Sequence, residues 1–99
     1  MKRRNGREAS GRWMARVSVG LKPEVLDPQG KTVMKALSSL GFRSVDDVRV
    51  GKHFWITLKG KLSREAAEKS VKRMTETLLV NPVIEHCTFV LGRAGNRAR

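Results

Sequence analysis

Met14-Ala15-Arg16-Val17-Ser18-Val19-Gly20-Leu21-Lys22 places Ala15, Val17, Val19 and Leu21 at alternate positions, with polar or small residues between them. Successive side chains of an extended chain point to opposite faces, so this alternation predicts a strand with one buried face. Lys22 to Leu26 is a connector. Asp27-Pro28 then reads as a helix start: the carboxylate caps an unpaired first-turn amide, and proline has no amide to leave unpaired. Val33, Leu37 and Leu40 follow at spacings of four and three, predicting a buried stripe flanked by Met34 and Ala36. Gly41 closes the helix as the residue able to take positive φ.

Further along, Val48, Val50, Phe54, Ile56 and Leu58 share even parity, so one face is apolar from 48 to 58. A two-residue hairpin at Gly51-Lys52 would send half of these to the wrong face. One long bent strand, or a three-residue turn through Gly51-Lys52-His53, keeps the parity. Ser63 caps a second helix, with Glu65 and Glu68 near its positive end and Ala67, Val71, Met74 and Leu78 as its buried stripe. Lys69, Lys72, Arg73 and Glu76 form its solvated face. Asn81-Pro82 stops it, because proline disfavours helical geometry in the residue before it. A last strand, Val83 to Leu91, puts Cys87, Phe89 and Leu91 on one face.

The order β-α-β(β)-α-β predicts an α+β fold, a small two-layer sandwich with two helices on one face of a mostly antiparallel sheet. The other sheet face has no cover of its own. Ninety-nine residues with 39% apolar content support only a thin core, so completion by dimerisation is expected. The domain is expected over residues 14–91. Residues 1–13 read as a basic, disordered leader before the patterned sequence that opens at Met14, and residues 92–99 as a basic, disordered tail.

The net charge of +12 divides unevenly. Lys2, Arg3, Arg4, Arg7 and Arg12 against Glu8 give the leader +4, and Arg93, Arg97 and Arg99 give the tail +3. The remainder holds 13 basic and 8 acidic side chains, an ordinary balance for a folded body. No apolar run approaches the roughly 20 residues of a membrane span, and no apolar stretch follows the basic start as in a secretory signal. The single cysteine, Cys87, excludes an internal disulfide and fits a buried structural thiol in a reducing, cytoplasmic setting.

Catalytic chemistry has little to stand on. His53, His86 and Cys87 lack metal-ligand spacing, and no phosphate-binding glycine loop occurs. Asp46-Asp47 reads as a solvated turn. The odd-numbered face with Arg49, His53, Trp55 and Lys59 interleaves one aromatic with cations, the pattern of sheets that bind RNA. That alternative, a small basic α+β nucleic-acid-binding protein, lacks the glycine-aromatic-glycine core at Gly51-Lys52-His53-Phe54 and has one stacking ring where two or three are needed. His53 and Trp55, on a face without its own cover, serve a dimer interface equally well.

Four runs, in order, carry a more specific signal: Lys22-Pro23-Glu24-Val25-Leu26-Asp27-Pro28-Gln29-Gly30, Leu40-Gly41-Phe42, Val48-Arg49-Val50-Gly51-Lys52, and Asn81-Pro82-Val83-Ile84-Glu85. With these, the chain resembles the PurS family, the small subunit of phosphoribosylformylglycinamidine (FGAM) synthase in de novo purine (IMP) biosynthesis. The resemblance runs from about Met14 to Leu91; the basic leader and arginine-rich tail fall outside it. It implies a ligase complex with two further subunits. A glutaminase (PurQ) frees ammonia from glutamine, and a large ATP-dependent synthetase (PurL) places it on formylglycinamide ribonucleotide. The small subunit is then a non-catalytic homodimer that bridges the two and supports ammonia transfer. It has no cofactor of its own, while the complex uses ATP, Mg2+ and glutamine. Neither a membrane nor a nucleic acid is an expected partner. The resemblance nominates Lys22, Asp27, Gln29, Gly30, Arg49, Gly51, Lys52, Asn81 and Pro82 as partner-binding or structural positions. Capping, a turn and a helix stop account locally for Asp27, Gly51 and Pro82. Lys22, Gln29, Arg49 and Lys52 lack such a duty and read as subunit contacts.

Overall fold

The computed structural model describes residues 12–93. The chain runs β1 (Trp13–Leu21), α1 (Pro28–Ser39), β2 (Gly51–Leu58), α2 (Arg64–Met74), a π-helical turn (Thr75–Leu79) and β3 (Glu85–Arg93). The strands form one sheet in the order β2-β1-β3, and both edge strands are antiparallel to β1. This is the α+β class read from the sequence.

The register puts Val17 between Phe54 and Phe89, and Ala15 between Ile56 and Leu91. Every alternating set therefore meets on one face, where Trp13, Ala15, Val17, Val19, Leu58 and Leu91 are buried with Ala67 and Val71 of α2. Phe54, Ile56, Cys87 and Phe89 are half-buried along the edges of this face. Cys87 is thus a free, partly exposed thiol rather than a fully buried one.

Topology explains why the two helices differ. β2 and β3 are each antiparallel to β1, so they are parallel to one another, and parallel strands need a crossover. α2 makes that crossover and seals its Ala67 and Val71 against the sheet. β1 and β2 are antiparallel neighbours and need no crossover, so α1 is free to stand off the sheet. The burial expected for Val33, Leu37 and Leu40 is accordingly not found within this chain: only Gly30 of α1 is buried, and Leu40 is 74% exposed.

The helix ends follow the local chemistry. Asp27 and Ser63 cap α1 and α2 by accepting from the amides of Gly30 and Ala66, and Gly41 takes φ 101° just past α1. The sheet boundaries resolve one choice that the sequence left open and shift one strand start. Gly51-Lys52-His53 makes no turn, because β2 runs unbroken from Gly51. β3 starts at Glu85 rather than Val83: the amides of Ile84 and Glu85 both donate to the Asn81 carbonyl, closing a turn over 82–84. Trp13 belongs to β1 and Gly92 and Arg93 to β3, so the strands run past Met14 and Leu91. The remaining leader and tail, residues 1–11 and 94–99, lie outside the described residues.

Val71 has no exposed surface, so Val71→Ala is expected to lower the unfolding free energy by about 2 kcal/mol, through lost burial and a residual cavity. Leu40→Ala should stay within about 0.5 kcal/mol. Urea denaturation of both variants checks the contrast. A large loss at Leu40 would mean that α1 has a packing partner beyond its own chain.

Candidate functional site

Gly20, Leu21, Gly51 and Glu85 lie at one end of the sheet, where the β1–α1 connector, the β2 entry and the β3 start converge. Asp27 is the centre of this corner. It is 4% exposed, its Oδ1 accepts from the Gly30 amide at 2.9 Å, and its Oδ2 accepts from the Val50 amide at 2.8 Å. The Val50 and Gly30 amides hold its carboxyl below the ordinary value. Burial opposes them, and the Arg49 charge and the Gln29 amide add to the lowering. Asp27 is therefore a cap, as the sequence indicates, and also a tie to a residue that no local rule reveals.

Arg49 has a local duty as well, contrary to the sequence reading. Its Nη2 donates to the carbonyls of Lys22 at 2.9 Å and Val25 at 3.0 Å, which fixes the connector against the β2 entry. The Lys22 amide donates in turn to the Ile84 carbonyl at 2.8 Å. Lys52 also has a partner, since its Nζ lies 3.6 Å from Oε2 of Glu85. Oε1 of the same carboxylate accepts from the Asn81 amide at 2.8 Å, and Asn81 Oδ1 accepts from the Val83 amide at 3.1 Å. Glu85 thus joins β2 to the turn after α2. Sequence reasoning did not nominate it, although its four-residue spacing from Asn81 was visible.

Both nominated glycines of the corner, Gly30 and Gly51, are there for close approach. A Cβ on Gly30 would collide with the Val48 carbonyl oxygen. One on Gly51 would stand 2.5 Å from the Val19 carbonyl oxygen, so Gly51 serves strand proximity rather than a turn. Pro82 is exposed in the turn that leads to β3. Gln29 is exposed on the first turn of α1, and among the described residues its side chain makes no hydrogen bond. All nine nominated positions thus come together at one end of the sheet.

His53 and Trp55 sit elsewhere, on the outer sheet face. Their rings are 5.1 Å apart, His53 Nδ1 is hydrogen-bonded to Ser18 Oγ at 3.1 Å, and the Arg16 guanidinium stands 5.7 Å from the Trp55 ring. Trp55 is 41% and Val90 54% exposed on this face. Among the described residues, no group of three His, Cys, Asp or Glu side chains could hold a metal ion. The corner joins backbone to backbone and presents no nucleophile with a base beside it.

Comparison with known proteins decides what such a corner belongs to. The model of the family described as PurS, phosphoribosylformylglycinamidine (FGAM) synthase, matches residues 14–93. The chain belongs to the PurS family. It is 43% identical over 77 residues to the FGAM synthase subunit PurS of Archaeoglobus fulgidus, covering 78% of this chain and 95% of that one. Identity to Bacillus subtilis PurS is 45% over 73 residues, covering 74% and 84%. The fold is similar to a solved B. subtilis PurS structure at TM-score 0.68 and 40% identity, over 82% of this chain and 99% of that one. It is also similar to a chain of the Thermotoga maritima PurLQS structure at TM-score 0.75 and 28% identity, over 82% and 98%. Membership makes this chain a subunit of FGAM synthase, an enzyme of purine biosynthesis whose activity resides in the complex.

The Asp27 tie gives this PurS chain a signed pH dependence. A carboxyl whose folded pKa is lowered contributes stability above its ordinary value, near about 4, and loses it as pH falls through the folded value. Asp27→Asn leaves one of two amide donors facing another donor. It should therefore melt below the parent protein at pH 7, with the gap closing below about pH 4. Thermal unfolding from pH 2 to 7 checks this, and a gap independent of pH would remove the carboxylate from the account.

Proposed function

We propose that this chain is the non-catalytic bridge of FGAM synthase, docking between a glutaminase and an ATP-dependent synthetase and supporting ammonia transfer between them. The observation that carries the proposal is the corner itself. It brings the nominated positions into one surface and uses their polar groups to hold backbone in place. Such a surface suits recognition by another protein rather than chemistry. The T. maritima structure is of a PurLQS assembly, which supports the same pair of partners here. ATP, Mg2+ and glutamine are handled by those partners, with no cofactor on this chain. The place of work is the cytoplasm; no helix among the described residues is long and apolar enough to cross a membrane.

The need for a bridge is physical. Ammonia released into water at neutral pH is mostly protonated and ceases to be a nucleophile, so a closed path between sites preserves it. A subunit without catalytic groups then controls the glutamine-dependent rate by closing that path. Gln29 is the nominated contact most open to a partner, because it is exposed and makes no hydrogen bond within the described chain. The subunit is also a homodimer in this proposal, paired through the outer sheet face around His53 and Trp55. An exposed tryptophan and valine on an otherwise bare sheet face support that pairing.

Reconstitution tests the bridge. Omitting this chain should abolish most glutamine-dependent FGAM synthesis while synthesis from added ammonium salts continues; equal glutamine-dependent rates with and without it would end the proposal. Gln29→Ala should leave the melting temperature unchanged and weaken assembly about tenfold, the worth of one good interfacial hydrogen bond. Trp55→Ala should shift sedimentation from dimer to monomer, and an unchanged dimer would place the interface on another face.

A further inference from the structure

The end of the sheet opposite the corner gathers positive charge that neither the corner nor the outer face uses. Trp13 at the start of β1 pairs with Arg93 at the end of β3 on one side and with Leu58 on the other. Both described chain ends and the β2–α2 loop therefore meet here. Trp13 is 6% exposed, and its Nε1 donates to the Leu62 carbonyl at 2.8 Å. The guanidiniums of Arg93 and Arg64 stand 4.2 and 5.6 Å from its ring centre. Arg12, Lys59 and Lys61 are exposed around them. Among the described residues the one side-chain ion pair is Lys52–Glu85, at the far end of the sheet. The adjoining sequence adds to the charge: residues 1–11 hold four basic residues and one acidic, and residues 94–99 two basic and none acidic.

We propose that this basic pole binds the phosphate backbone of single-stranded nucleic acid, a function separate from the bridging role. The two arginines over Trp13 are the centre of the site. A guanidinium stacked on a ring keeps its in-plane N–H donors for phosphate oxygens. The pole offers no apolar centre for a protein partner, since Trp13, Leu58 and Leu91 are all buried. The adjoining segments are rich in arginine, Gly, Asn and Ala, with Lys2 and a single acidic residue, Glu8, a composition close to that of segments that follow nucleic-acid backbones. A single strand can bend around so small a pole, whereas a duplex is stiff over about 150 base pairs and meets it at few phosphates. Recognition here is electrostatic and independent of sequence. It does not require the stacking face that Trp55 alone cannot supply.

Fluorescence anisotropy of the full chain with a labelled oligouridine 20-mer, across a salt series, tests the proposal. Binding should weaken linearly in log-log form as salt rises. Lys59→Gln, Lys61→Gln, Arg64→Gln and Arg93→Gln together should lower affinity at least about tenfold and flatten the slope by about 0.7 for each phosphate no longer neutralised. The same loss of charge at Lys31, Lys35, Arg43 and Lys69 should leave affinity within about twofold. Lys59→Gln with Lys61→Gln alone, which leaves the Trp13 stack intact, should act in the same direction without lowering the melting temperature. Equal weakening by both four-residue sets would overturn the site in favour of overall charge. Removing residues 1–11 and 94–99 should leave binding that still responds to the pole variants; loss of all binding would assign it to those segments alone. Competition by polyglutamate as effective as by unlabelled RNA would point to an acidic protein instead. No binding by the full chain at low salt ends the proposal outright.

Discussion

The Asp27 carboxylate joins two parts of the chain that no regular element joins. One oxygen serves the first turn of α1, and the other serves Val50, 23 residues further along. An ionised carboxylate accepts only, so both oxygens are matched to backbone donors and neither protonation nor an amide can take its place. Gly30 permits the approach, because any side chain there would run into the Val48 carbonyl. Arg49 adds a second tie across the same gap through the carbonyls of Lys22 and Val25. α1 depends on these ties. A 12-residue helix is marginal alone, and this one buries a single residue, so its orientation comes from its N-terminal anchor rather than from a packed face.

That dependence follows from strand order. With β1 in the centre, only the β2–β3 connection must cross the sheet, and α2 with the π-helical turn after it covers the apolar face. The β1–α1–β2 connection is released from packing duty and becomes an arm held at one end. Its polar groups serve its own anchor. An arm of this kind suits a bridging subunit: it presents a defined surface at the end of the domain while the core takes care of stability.

Local chemistry was legible in the sequence, and long-range pairing was not. Alternation from Ala15 to Leu21 and the caps at Asp27 and Ser63 need only neighbours in the chain, as does the positive φ at Gly41, and all were visible. The Val33, Leu37 and Leu40 stripe announced an amphipathic helix without saying whether anything in this chain would cover it. Trp13 was hidden by the basic residues before it, although it shares the parity of Ala15, Val17 and Val19. Arg49 looked idle because its acceptors are backbone carbonyls, which leave no sequence signature. Gly51 was read as a turn where it permits strand approach. The corner's membership came from the family resemblance, not from spacing, and the structure shows why three of its four runs go together: Asp27 to Val50, Arg49 to Lys22, and Glu85 to both Asn81 and Lys52.

The two ends of the sheet are chemically opposite. At the corner, Asp27 and Glu85 neutralise or anchor the charges around them and the backbone is tied in place. At the other end, Arg64 and Arg93 sit over a buried tryptophan and form no ion pair among the described residues. β1 spans the distance between them, about 26 Å for nine residues of strand. That exceeds the screening length of roughly 8 Å at physiological salt, so the charge at one end does not set the electrostatics of the other. On the proposed readings, a partner at the corner and a polyanion at the pole would each meet a local field that the other end leaves unchanged.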